Sequence, residues 1–397
     1  MTIPSIEEID IREKRVLIRV DFDIPITRSG KVSDVSKILH ALPTIHYAVG
    51  EKARVIIASH LSGPGGRLNR KYSLEPVGKK LTEFLDCEIY FPENSVGDVV
   101  KKISGDMLPG SVMLLENLEF HKGELSNSPE YAKKLSEIAD IYVNEAFSIS
   151  NQERASLTAI TEYFDTVCAG LGFKNEINNL SRFKDPDPPF TAVIGGESSS
   201  RKIELMESLL DRVESFLVGG AIANSFLRII GKETGRSEID ERTLYSAKKL
   251  ISSSFTRDIK LIIPEDLVTV RGDLNNDSPS FIISGVSIPK ESMAVDIGPD
   301  TRVSFANNVS RARTVLWNGP LGVYEKSVFG EGTAALAEAL SGSEAFSAIL
   351  GDDTVKAVEE AGYEGGISFI SRGGDAAMDY IINGTIPAIT AIEERIK

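Results

Sequence analysis

The stretch TAVIGGESSSRKIELMESLLDRV, residues 191–213, contains the pattern that decides the fold class. It begins with a short, mainly apolar run typical of a buried strand, and two glycines follow directly. Apolar residues then recur at the spacing of one helix face, at Ile203, Met206, Leu210 and Val213. A buried strand, a glycine turn and an amphipathic helix form the unit from which parallel sheets with helices on both faces are built.

The same alternation of strand and helix patterns continues through both halves of the chain. Apolar runs of strand character occur at Arg15–Val20, Arg54–Ala58, Ser111–Leu115, Ile141–Val143, Thr191–Ile194, Phe216–Val218, Leu261–Ile263, Thr314–Trp317, Phe346–Leu350 and Ile367–Ile370. A second helix-spaced stripe is formed by Leu74, Val77, Leu81 and Phe84. Together these patterns predict an α/β fold with parallel sheets.

Length and one interruption of the pattern predict how the chain is divided. At 397 residues the chain is long enough for two domains. The alternation breaks at residues 172–190, where a helix pattern over Gly172–Phe183 is followed by KDPDPP (184–189). Because proline fixes φ and disfavours helix at the preceding residue, this segment is interpreted as a connector between domains, with an ordinary surface crossover as the alternative.

Composition and charge argue against several classes of protein. Lysine and arginine number 44 against 58 aspartate and glutamate, so the formal net charge is −14, and a surface dedicated to nucleic acid or acidic lipid is not expected. No apolar run is long enough to span a bilayer, and the charged first twenty residues do not resemble a signal peptide. Two cysteines, and four histidines without ligand spacing, predict neither disulfides nor a structural metal site, which fits a reducing, cytosolic compartment.

Glycine follows several predicted strands of the second half, and a helix pattern comes after it each time. The positions are Gly195-Gly196, Gly219-Gly220, Gly351 and Gly373-Gly374. Glycine lets a ligand approach the backbone, and the next helix offers unpaired N–H groups to phosphate, although glycine is also usual in any tight strand–helix turn. Neither G-x-x-x-x-G-K-[ST] nor G-x-G-x-x-G occurs, so these turns predict a nucleotide held by a different set of loops.

Seven short motifs give the chain a more specific resemblance. VLWNGPLGVYE (315–325) is similar to a signature of phosphoglycerate kinases, and the other similar motifs are RVDFDIP (19–25), HALPTI (40–45), ASHL (58–61), KYSLEPV (71–77), LLENLEFH (114–121) and LVGGAIANSFL (217–227). The chain thus resembles the phosphoglycerate kinase family over essentially its whole length. The resemblance implies two Rossmann-like domains with parallel sheets, joined by a helical hinge.

The resemblance also gives the predicted domains a function. Residues 1–171 would bind phosphoglycerate, with the C-terminal tail 376–397 packing on them, residues 172–190 would form the hinge helix and linker, and residues 191–375 would bind nucleotide. The implied reaction is reversible phosphoryl transfer between 1,3-bisphosphoglycerate and ADP, giving 3-phosphoglycerate and ATP, with Mg²⁺ accompanying the nucleotide. The implied partners are ATP or ADP and a small phosphorylated acid, with no nucleic acid and no membrane, and we expect a cytoplasmic monomer.

A nucleotide site follows from the resemblance residue by residue. It comprises Gly195, Gly196, Ser198, Lys202, Gly219, Glu325, Gly351, Asp352, Asp353 and Thr354, with Asp353 beside Mg²⁺; the catalytic assignments are Lys37, Lys202, Gly351 and Gly374. Ser198 stands where the family has a lysine aimed at the phosphoryl group, so a preorganised cation is lost. Leu350-Gly351-Asp352 stands where the family has three glycines, and the added side chain and carboxylate are expected to weaken polyphosphate binding.

The acceptor site implied by the resemblance departs further from the family. It comprises Asp21, Asp23, Lys37, Ser59, His60, Leu61, Ser62, Glu119 and Gln152. The family has asparagine at the position of Asp23, and it has arginine at four positions that hold Lys37, Gly63, Glu119 and Gln152 here. Of those four, Lys37 keeps a positive charge but lacks the two-pronged hydrogen bonding of a guanidinium. Four nearby cations are interpreted as surface charges in loops, with compensation for the missing arginines as the alternative: Arg67, Arg70, Lys122 and Arg154.

Three functions stay open from the sequence. The first is a phosphoglycerate kinase with a remodelled site, which retention of the motifs along the whole chain favours. The second is a related kinase with a different phosphoryl acceptor, which the rewritten acceptor motifs favour. The third is a catalytically weak or inactive nucleotide-binding protein, because Ser198, Lys37 and Glu119 together remove much of the charge that neutralises phosphate.

Overall fold

The chain forms two compact units. A computed structural model describes residues 3–274 and 278–397. Unit 1 comprises Met1–Asn178 and Thr385–Lys397, and unit 2 comprises Asn179–Gly384. The predicted division by function, with a hinge over 172–190 and a tail over 376–397 that packs on the first domain, stays a prediction. Among the described residues, no helix has the length and apolar character needed to cross a membrane.

Unit 1 is built around a six-stranded parallel sheet. Its elements before residue 181 are β1 (Arg15–Arg19), α1 (Ser36–Gly50), β2 (Arg54–Ala58), α2 (Glu75–Leu81), β3 (Ile89–Tyr90), α3 (Asp98–Asp106), β4 (Val112–Leu114), α4 (Lys122–Leu125), α5 (Pro129–Ser136), β5 (Ile141–Asn144), β6 (Val167–Ala169) and α6 (Leu171–Leu180), the last of which crosses into unit 2. The strands lie in the order β3-β4-β2-β1-β5-β6, and all neighbours are parallel.

The core of unit 1 explains why the apolar runs predicted its central strands. Val16 and Ile18 of β1 pack in one apolar cluster with Val55 and Ile57 of β2. Four of the five residues in each of these strands are buried, as expected for a sheet covered on both faces. Polar residues begin where the strands end, and the carboxyl ends of parallel neighbours meet at one edge of the sheet. The acceptor residues predicted from the sequence therefore start from a common edge.

Unit 2 contains a second six-stranded parallel sheet and a small antiparallel one. Its elements are β7 (Phe190–Ile194), α7 (Ser200–Leu209), β8 (Ser215–Val218), α8 (Gly220–Ile229), α9 (Leu244–Thr256), β9 (Lys260–Ile262), β10 (Asp266–Arg271), β11 (Ser280–Ser284), β12 (Ser292–Ile297), α10 (Pro299–Val309), β13 (Thr314–Asn318), α11 (Glu331–Ser341), β14 (Phe346–Leu350), α12 (Asp352–Ala361), β15 (Phe369–Ile370) and α13 (Gly374–Asn383). The parallel sheet has the order β15-β14-β13-β7-β8-β9, and the antiparallel sheet has the order β11-β10-β12. The predicted α/β class with parallel sheets is confirmed.

The antiparallel sheet was not predicted from the sequence. β11 has mostly exposed side chains, including Phe281 and Ile282, so it lacks the continuous buried run that indicates a central strand. β10 is buried over five of its six residues, but it has charged residues at both ends, Asp266 and Arg271. These residues shorten the apolar run by which a strand is recognised in the sequence. Each of the ten predicted apolar runs overlaps an observed strand.

The last helix, α14 (Pro387–Arg395), belongs to unit 1. The N–H of Ala388 donates a hydrogen bond to the carbonyl of Ser150 over 3.1 Å. The Ala388 side chain packs in a small apolar cluster with Ala146 and Leu157. The end of the chain is thus fixed beside the segment that follows β5.

Candidate active site

A cavity of about 640 Å³ lies in unit 2 at the carboxyl ends of β7, β13 and β14. One part of its wall consists of glycine turns and the start of α12: Gly196, Gly220, Gly319, Gly351, Asp352, Asp353 and Thr354. Another part is apolar and includes Leu267, Leu274, Met293, Val295 and Leu321. Backbone N–H groups at a helix start favour phosphate, and an apolar wall favours a flat ring, so the cavity has the two chemistries that a nucleotide requires.

The glycines of these turns are needed for close backbone packing. The N–H of Gly196, a residue with φ +68°, donates to the carbonyl of Pro320 over 2.6 Å. A Cβ on Gly195 would lie 2.3 Å from the same carbonyl oxygen, and a Cβ on Gly219 would lie 2.6 Å from a methyl carbon of Leu321. The turns after β7, β8 and β13 therefore interlock, and side chains at Gly195 and Gly219 would push them apart.

Lys202 is a buried cation at this edge. It lies in the first turn of α7, is 8% exposed, and its Nζ donates a hydrogen bond to the carbonyl of Gly195 over 2.6 Å. Burial lowers the pKa of Lys202 to about 8, although the carboxylates of Glu197 and Asp353 act in the opposite direction. The ammonium thus lies against the glycine turn after β7, at the cavity wall.

The loop between β14 and α12 presents carboxylates at the cavity. Asp352 and Asp353 are exposed in the first turn of α12, and Tyr324 donates a hydrogen bond to Oδ1 of Asp353 over 3.3 Å. Thr354 is buried instead: its hydroxyl accepts from the N–H of Gly319 and donates to the carbonyl of Leu350, each over 2.7 Å. Thr354 therefore ties two turns together, while the two aspartates remain available to a ligand.

The other predicted nucleotide residues occupy different surroundings. Ser198 is 7% exposed, and its hydroxyl lies 3.0 Å from that of Ser225 and 3.3 Å from that of Thr243, so it is engaged inside unit 2. Glu325 is exposed on the cavity wall. Gly374, with φ +50°, begins α13, whose next residues toward the cavity are Asp375 and Met378. Their assigned roles stay predictions.

A second cluster of polar residues lies in unit 1, beyond the carboxyl ends of β1, β2 and β5. Oδ2 of Asp21 lies 2.8 Å from Nζ of Lys37 and accepts a hydrogen bond from the hydroxyl of Ser148 over 2.6 Å. Burial raises the pKa of Asp21, but Lys37 and these hydrogen bonds outweigh burial and hold the pKa below its usual value. The predicted catalytic cation, Lys37, thus has its charge matched by a carboxylate of the protein.

His60 is neutral in this cluster. Its Nδ1 lies 3.3 Å from Nη2 of Arg19, and because a guanidinium only donates hydrogen bonds, Nδ1 is the acceptor and Nε2 carries the proton. Burial first and the Arg19 charge second lower the pKa of His60 to about 4. His60 therefore offers an N–H donor at neutral pH rather than a positive charge.

Three further predicted residues sit on the loop after β2. The Ser59 hydroxyl is buried and joins two strand ends, accepting from the N–H of Phe22 and donating to the carbonyl of Val20. Leu61 is buried. Ser62 binds the carboxylate of Asp23 twice, through its N–H over 3.0 Å and its hydroxyl over 2.6 Å. Ser59 and Leu61 are thus part of the scaffold, and Asp23 is fixed by Ser62.

Three of the positions at which family arginines are missing lie together. Oε1 of Glu119 lies 3.9 Å from Nη2 of Arg154, and its carboxylate accepts a hydrogen bond from the N–H of Gly63. Arg154 also donates from Nε to Oε1 of Gln152 over 3.1 Å. Burial raises the pKa of Glu119 in spite of Arg154. Gly63, Glu119 and Gln152 therefore form one group around Arg154, whose side chain is partly exposed.

Sequence reasoning did not single out several residues that complete these sites. Arg19, inside the RVDFDIP motif, orients His60. Ser148 holds Asp21 in unit 1, while Asn318 and Tyr324, both inside the VLWNGPLGVYE motif, line the cavity of unit 2. Arg19, Asn318 and Tyr324 could have been found from the sequence, because each lies inside a motif similar to the family. For Ser148 there was none, because its partner lies 127 residues away.

The positions of the side chains that could bind a metal ion indicate whether the protein forms a metal site by itself. Among residues 3–274 and 278–397, no group of three or more histidine, cysteine, aspartate or glutamate side chains is placed to hold a metal ion. Asp353 is an exposed carboxylate next to Asp352 at the start of α12. Mg²⁺ is often held by one or two carboxylates together with substrate phosphates, so these residues fit an ion that arrives with a nucleotide.

Comparison with known proteins decides the family. The family model for phosphoglycerate kinase matches residues 6–384. Phosphoglycerate kinase of Geotalea uraniireducens is 38% identical over 396 residues, which are 99% of each chain, and that of Moorella thermoacetica is 36% identical over 98% of this chain and 99% of its own. This chain belongs to the phosphoglycerate kinase family.

Solved structures of phosphoglycerate kinases agree with this assignment. The enzyme from Coxiella burnetii matches with a TM-score of 0.91 at 33% identity, covering all of both chains. The enzyme from Pyrococcus horikoshii matches with a TM-score of 0.84 at 25% identity, covering 100% of this chain and 99% of the other. The predicted phosphoglycerate kinase fold and the class of phosphotransferases with a carboxyl acceptor are therefore confirmed. The site residues stay predictions.

Proposed function

We propose that this protein catalyses reversible phosphoryl transfer between 1,3-bisphosphoglycerate and ADP, giving 3-phosphoglycerate and ATP. The observation that carries the proposal is the unit 2 cavity, in which the buried Lys202 and the start of α12 adjoin an apolar wall. Family membership along nearly the whole chain supports it. Because such transfer needs no covalent enzyme intermediate, the residues have to position the partners and neutralise charge.

In this proposal, the nucleotide phosphates lie against the glycine turns. The N–H groups at the start of α12 and the ammonium of Lys202 bind the phosphate oxygens, and Glu325 lies on the wall for a ribose hydroxyl. Asp353 would hold Mg²⁺, which when bound neutralises phosphate charge. That ion matters here because several carboxylates line the cavity: Glu197, Glu238, Asp296, Glu325, Asp352, Asp353 and Asp375.

The acid partner is proposed to bind at the unit 1 cluster. Lys37, with its side chain 41% exposed, can turn its ammonium from Asp21 toward a carboxylate or phosphate oxygen. His60 offers its Nε2 proton, and Asp23 accepts from a hydroxyl group. We further propose that the protein is a monomer and lies in the cytoplasm. Its low cysteine content supports a reducing compartment.

ADP affinity is expected to fall as pH rises above about 8. The pKa of Lys202 in the free protein is about 8, so the ammonium is present below that pH and is lost above it, at up to tenfold in affinity per pH unit. Calorimetric titration of Mg-ADP between pH 6.5 and 9.5 measures this. Lys202→Arg, which stays charged throughout, is expected to give a flat profile. A fall of equal size in both proteins would contradict the role of Lys202.

A coupled assay tests the proposed reaction directly. ADP, Mg²⁺ and 1,3-bisphosphoglycerate are expected to give ATP at a rate proportional to the protein concentration. Turnover equal to that of a no-enzyme control would overturn the proposal. Calorimetry with Mg-ADP and 3-phosphoglycerate then shows whether the chain binds both ligands. Tight binding of both would count against a non-enzymatic function.

A kinase with a different acceptor is the second candidate, and charge balance in unit 1 favours it. Each cation of the cluster already has a carboxylate partner, since Lys37 faces Asp21 and Arg154 faces Glu119. Asp23 adds a further negative charge. A less anionic acid suits such a site better than a bisphosphate does. A panel of phosphorylated and unphosphorylated acids in an ATP-consumption assay decides between them, and consumption with 3-phosphoglycerate alone would exclude this candidate.

A further inference from the structure

One carboxylate of unit 1 lies where an anionic ligand would be bound. Glu119 is 8% exposed, and its carboxylate is held by the guanidinium of Arg154 and by the N–H of Gly63. A guanidinium together with a backbone N–H group is a combination that binds carboxylate and phosphate ligands. Glu119 thus occupies a built anion-binding position with a group of the protein itself.

The position is fixed from several sides. The N–H of Glu119 donates to Oδ1 of Asn117 over 2.9 Å, and its carbonyl accepts from the N–H of Gly66 over 3.0 Å. Gly63 has φ +122°, and a Cβ there would lie 2.8 Å from the ring of Tyr72, so the position that supplies the N–H requires glycine. The carboxylate and its donors are therefore preorganised.

Arg154 is held in the same way. It donates from Nε to Gln152 over 3.1 Å and from Nη1 to the carbonyl of Leu125 over 3.4 Å, which leaves its Nη2 directed at Glu119. These bonds orient the guanidinium without neutralising it, because Gln152 and the carbonyl are uncharged. If Glu119 lost its charge, the positive charge of Arg154 would be opposed less, although the carboxylate of Glu124 also acts on it.

The position adjoins the proposed acceptor cluster. Gly63 directly follows Ser62, which binds the carboxylate of Asp23, and the charge of Asp23 acts on Glu119. Both carboxylates lie beyond the carboxyl ends of the parallel strands, where α/β folds bind ligands. A phosphate that binds Arg154 would therefore lie close to the negative charges of Glu119 and Asp23.

We propose that Glu119 is an internal anion that competes with the acid substrate for Arg154 and so determines which acids bind. An anionic group binds Arg154 when Glu119 is displaced or uncharged, and acids with one anionic group fewer fit the site as it stands. The inference rests on the proposed function, since it takes unit 1 as the binding place of the acid. It makes Glu119 a specificity-determining residue of that site.

Titration of 3-phosphoglycerate into the full chain by calorimetry, without nucleotide and at about 0.15 M ionic strength, tests the proposal. Glu119→Gln keeps the shape and an oxygen for the N–H of Gly63 but removes the charge, and it is expected to bind at least tenfold more tightly than the wild type. Adding Arg154→Met to Glu119→Gln is expected to remove this gain. Glu153→Gln, which removes an exposed neighbouring charge, is the matched control and is expected to change affinity less than twofold.

Equal affinities of the wild type and Glu119→Gln, or a gain that persists without Arg154, would overturn the inference. If thermal melting shows that Glu119→Gln is unfolded, Glu119→Ser is titrated against the same criterion. The coupled assay on the wild type judges the proposed function separately. Transfer without a gain in Glu119→Gln contradicts the inference alone, and a gain without transfer contradicts the reaction alone.

Discussion

Arg19→Met is expected to lower the free energy of unfolding of unit 1 by about 3–5 kcal/mol. The Arg19 side chain is 2% exposed, and its guanidinium lies 4.0 Å from the carboxylate of Glu124, which is 1% exposed. Ser156 joins them, because its hydroxyl accepts from Nε of Arg19 over 2.7 Å and donates to Glu124 over 2.6 Å. Removing the guanidinium leaves an unpaired charge in the core, which is the costly way to break a buried pair.

Chemical unfolding followed by far-UV circular dichroism measures the change. Replacing both partners, Arg19→Met with Glu124→Met, is expected to recover much of the loss because no charge is then left unpaired. Lys134→Met breaks an exposed pair with Glu130 and is expected to cost less than about 1 kcal/mol. A loss below about 1 kcal/mol in Arg19→Met would contradict the assignment of the buried pair.

The loss in Arg19→Met is also expected to shrink as pH falls. Burial already raises the pKa of Glu124 although Arg19 and the Ser156 hydrogen bonds lower it, and without Arg19 the raising effect is less opposed. A carboxyl whose pKa is higher in the folded than in the unfolded chain stabilises the fold more at low pH, because protonation removes the buried charge. Repeating the unfolding at pH 5 and pH 8 tests the sign.

Lys202→Met is expected to lower the rate constant for phosphoryl transfer about 10²–10³-fold and to weaken Mg-ADP binding. On the part of the cavity wall that the structure describes, the cations are Lys202 and Arg236, and Arg236 already pairs with Asp273 over 3.3 Å. Ser198, at a position where the family has lysine, offers no charge and is engaged with other hydroxyl groups. Neutralisation of the phosphate charge therefore depends strongly on Lys202.

Steady-state kinetics with varied ADP separates the two effects of Lys202→Met. Lys356→Met removes a lysine that is exposed on α12, and as the matched control it is expected to leave kcat within twofold. Lys202→Arg is expected to keep part of the activity, since it retains charge in a space shaped for an ammonium. A kcat for Lys202→Met within threefold of the wild type would show that the transferred group is stabilised elsewhere.

Local patterns were sufficient for the central strands and for the glycine turns. Runs such as Arg54–Ala58 are buried on both faces, so almost every residue is apolar and the strand can be recognised without knowledge of its neighbours. β11 could not be recognised in this way, because most of its side chains face solvent. Its pairing with β10 depends on backbone hydrogen bonds, which leave little trace in side-chain composition.

The glycines show how a correct pattern can have an additional cause. Gly195 and Gly219 were predicted as places where phosphate approaches the backbone, and in the structure each also sits where a neighbouring turn leaves no room for a Cβ. Sequence spacing identifies that glycine is required after a strand. It does not identify whether the close neighbour is a ligand or the protein itself, since that depends on turns more than 100 residues apart.

The sequence by itself determined the α/β class, the family resemblance and the positions at which family cations are missing, because buried strands and short motifs are local in the chain. The tertiary structure decided the surroundings of the site residues. It places Arg154 against Glu119 and Gly63, turns the Ser198 hydroxyl toward Ser225, and makes His60 a neutral donor beside Arg19. Charge and pKa depend on distance and burial, and both are fixed by contacts between segments far apart in sequence.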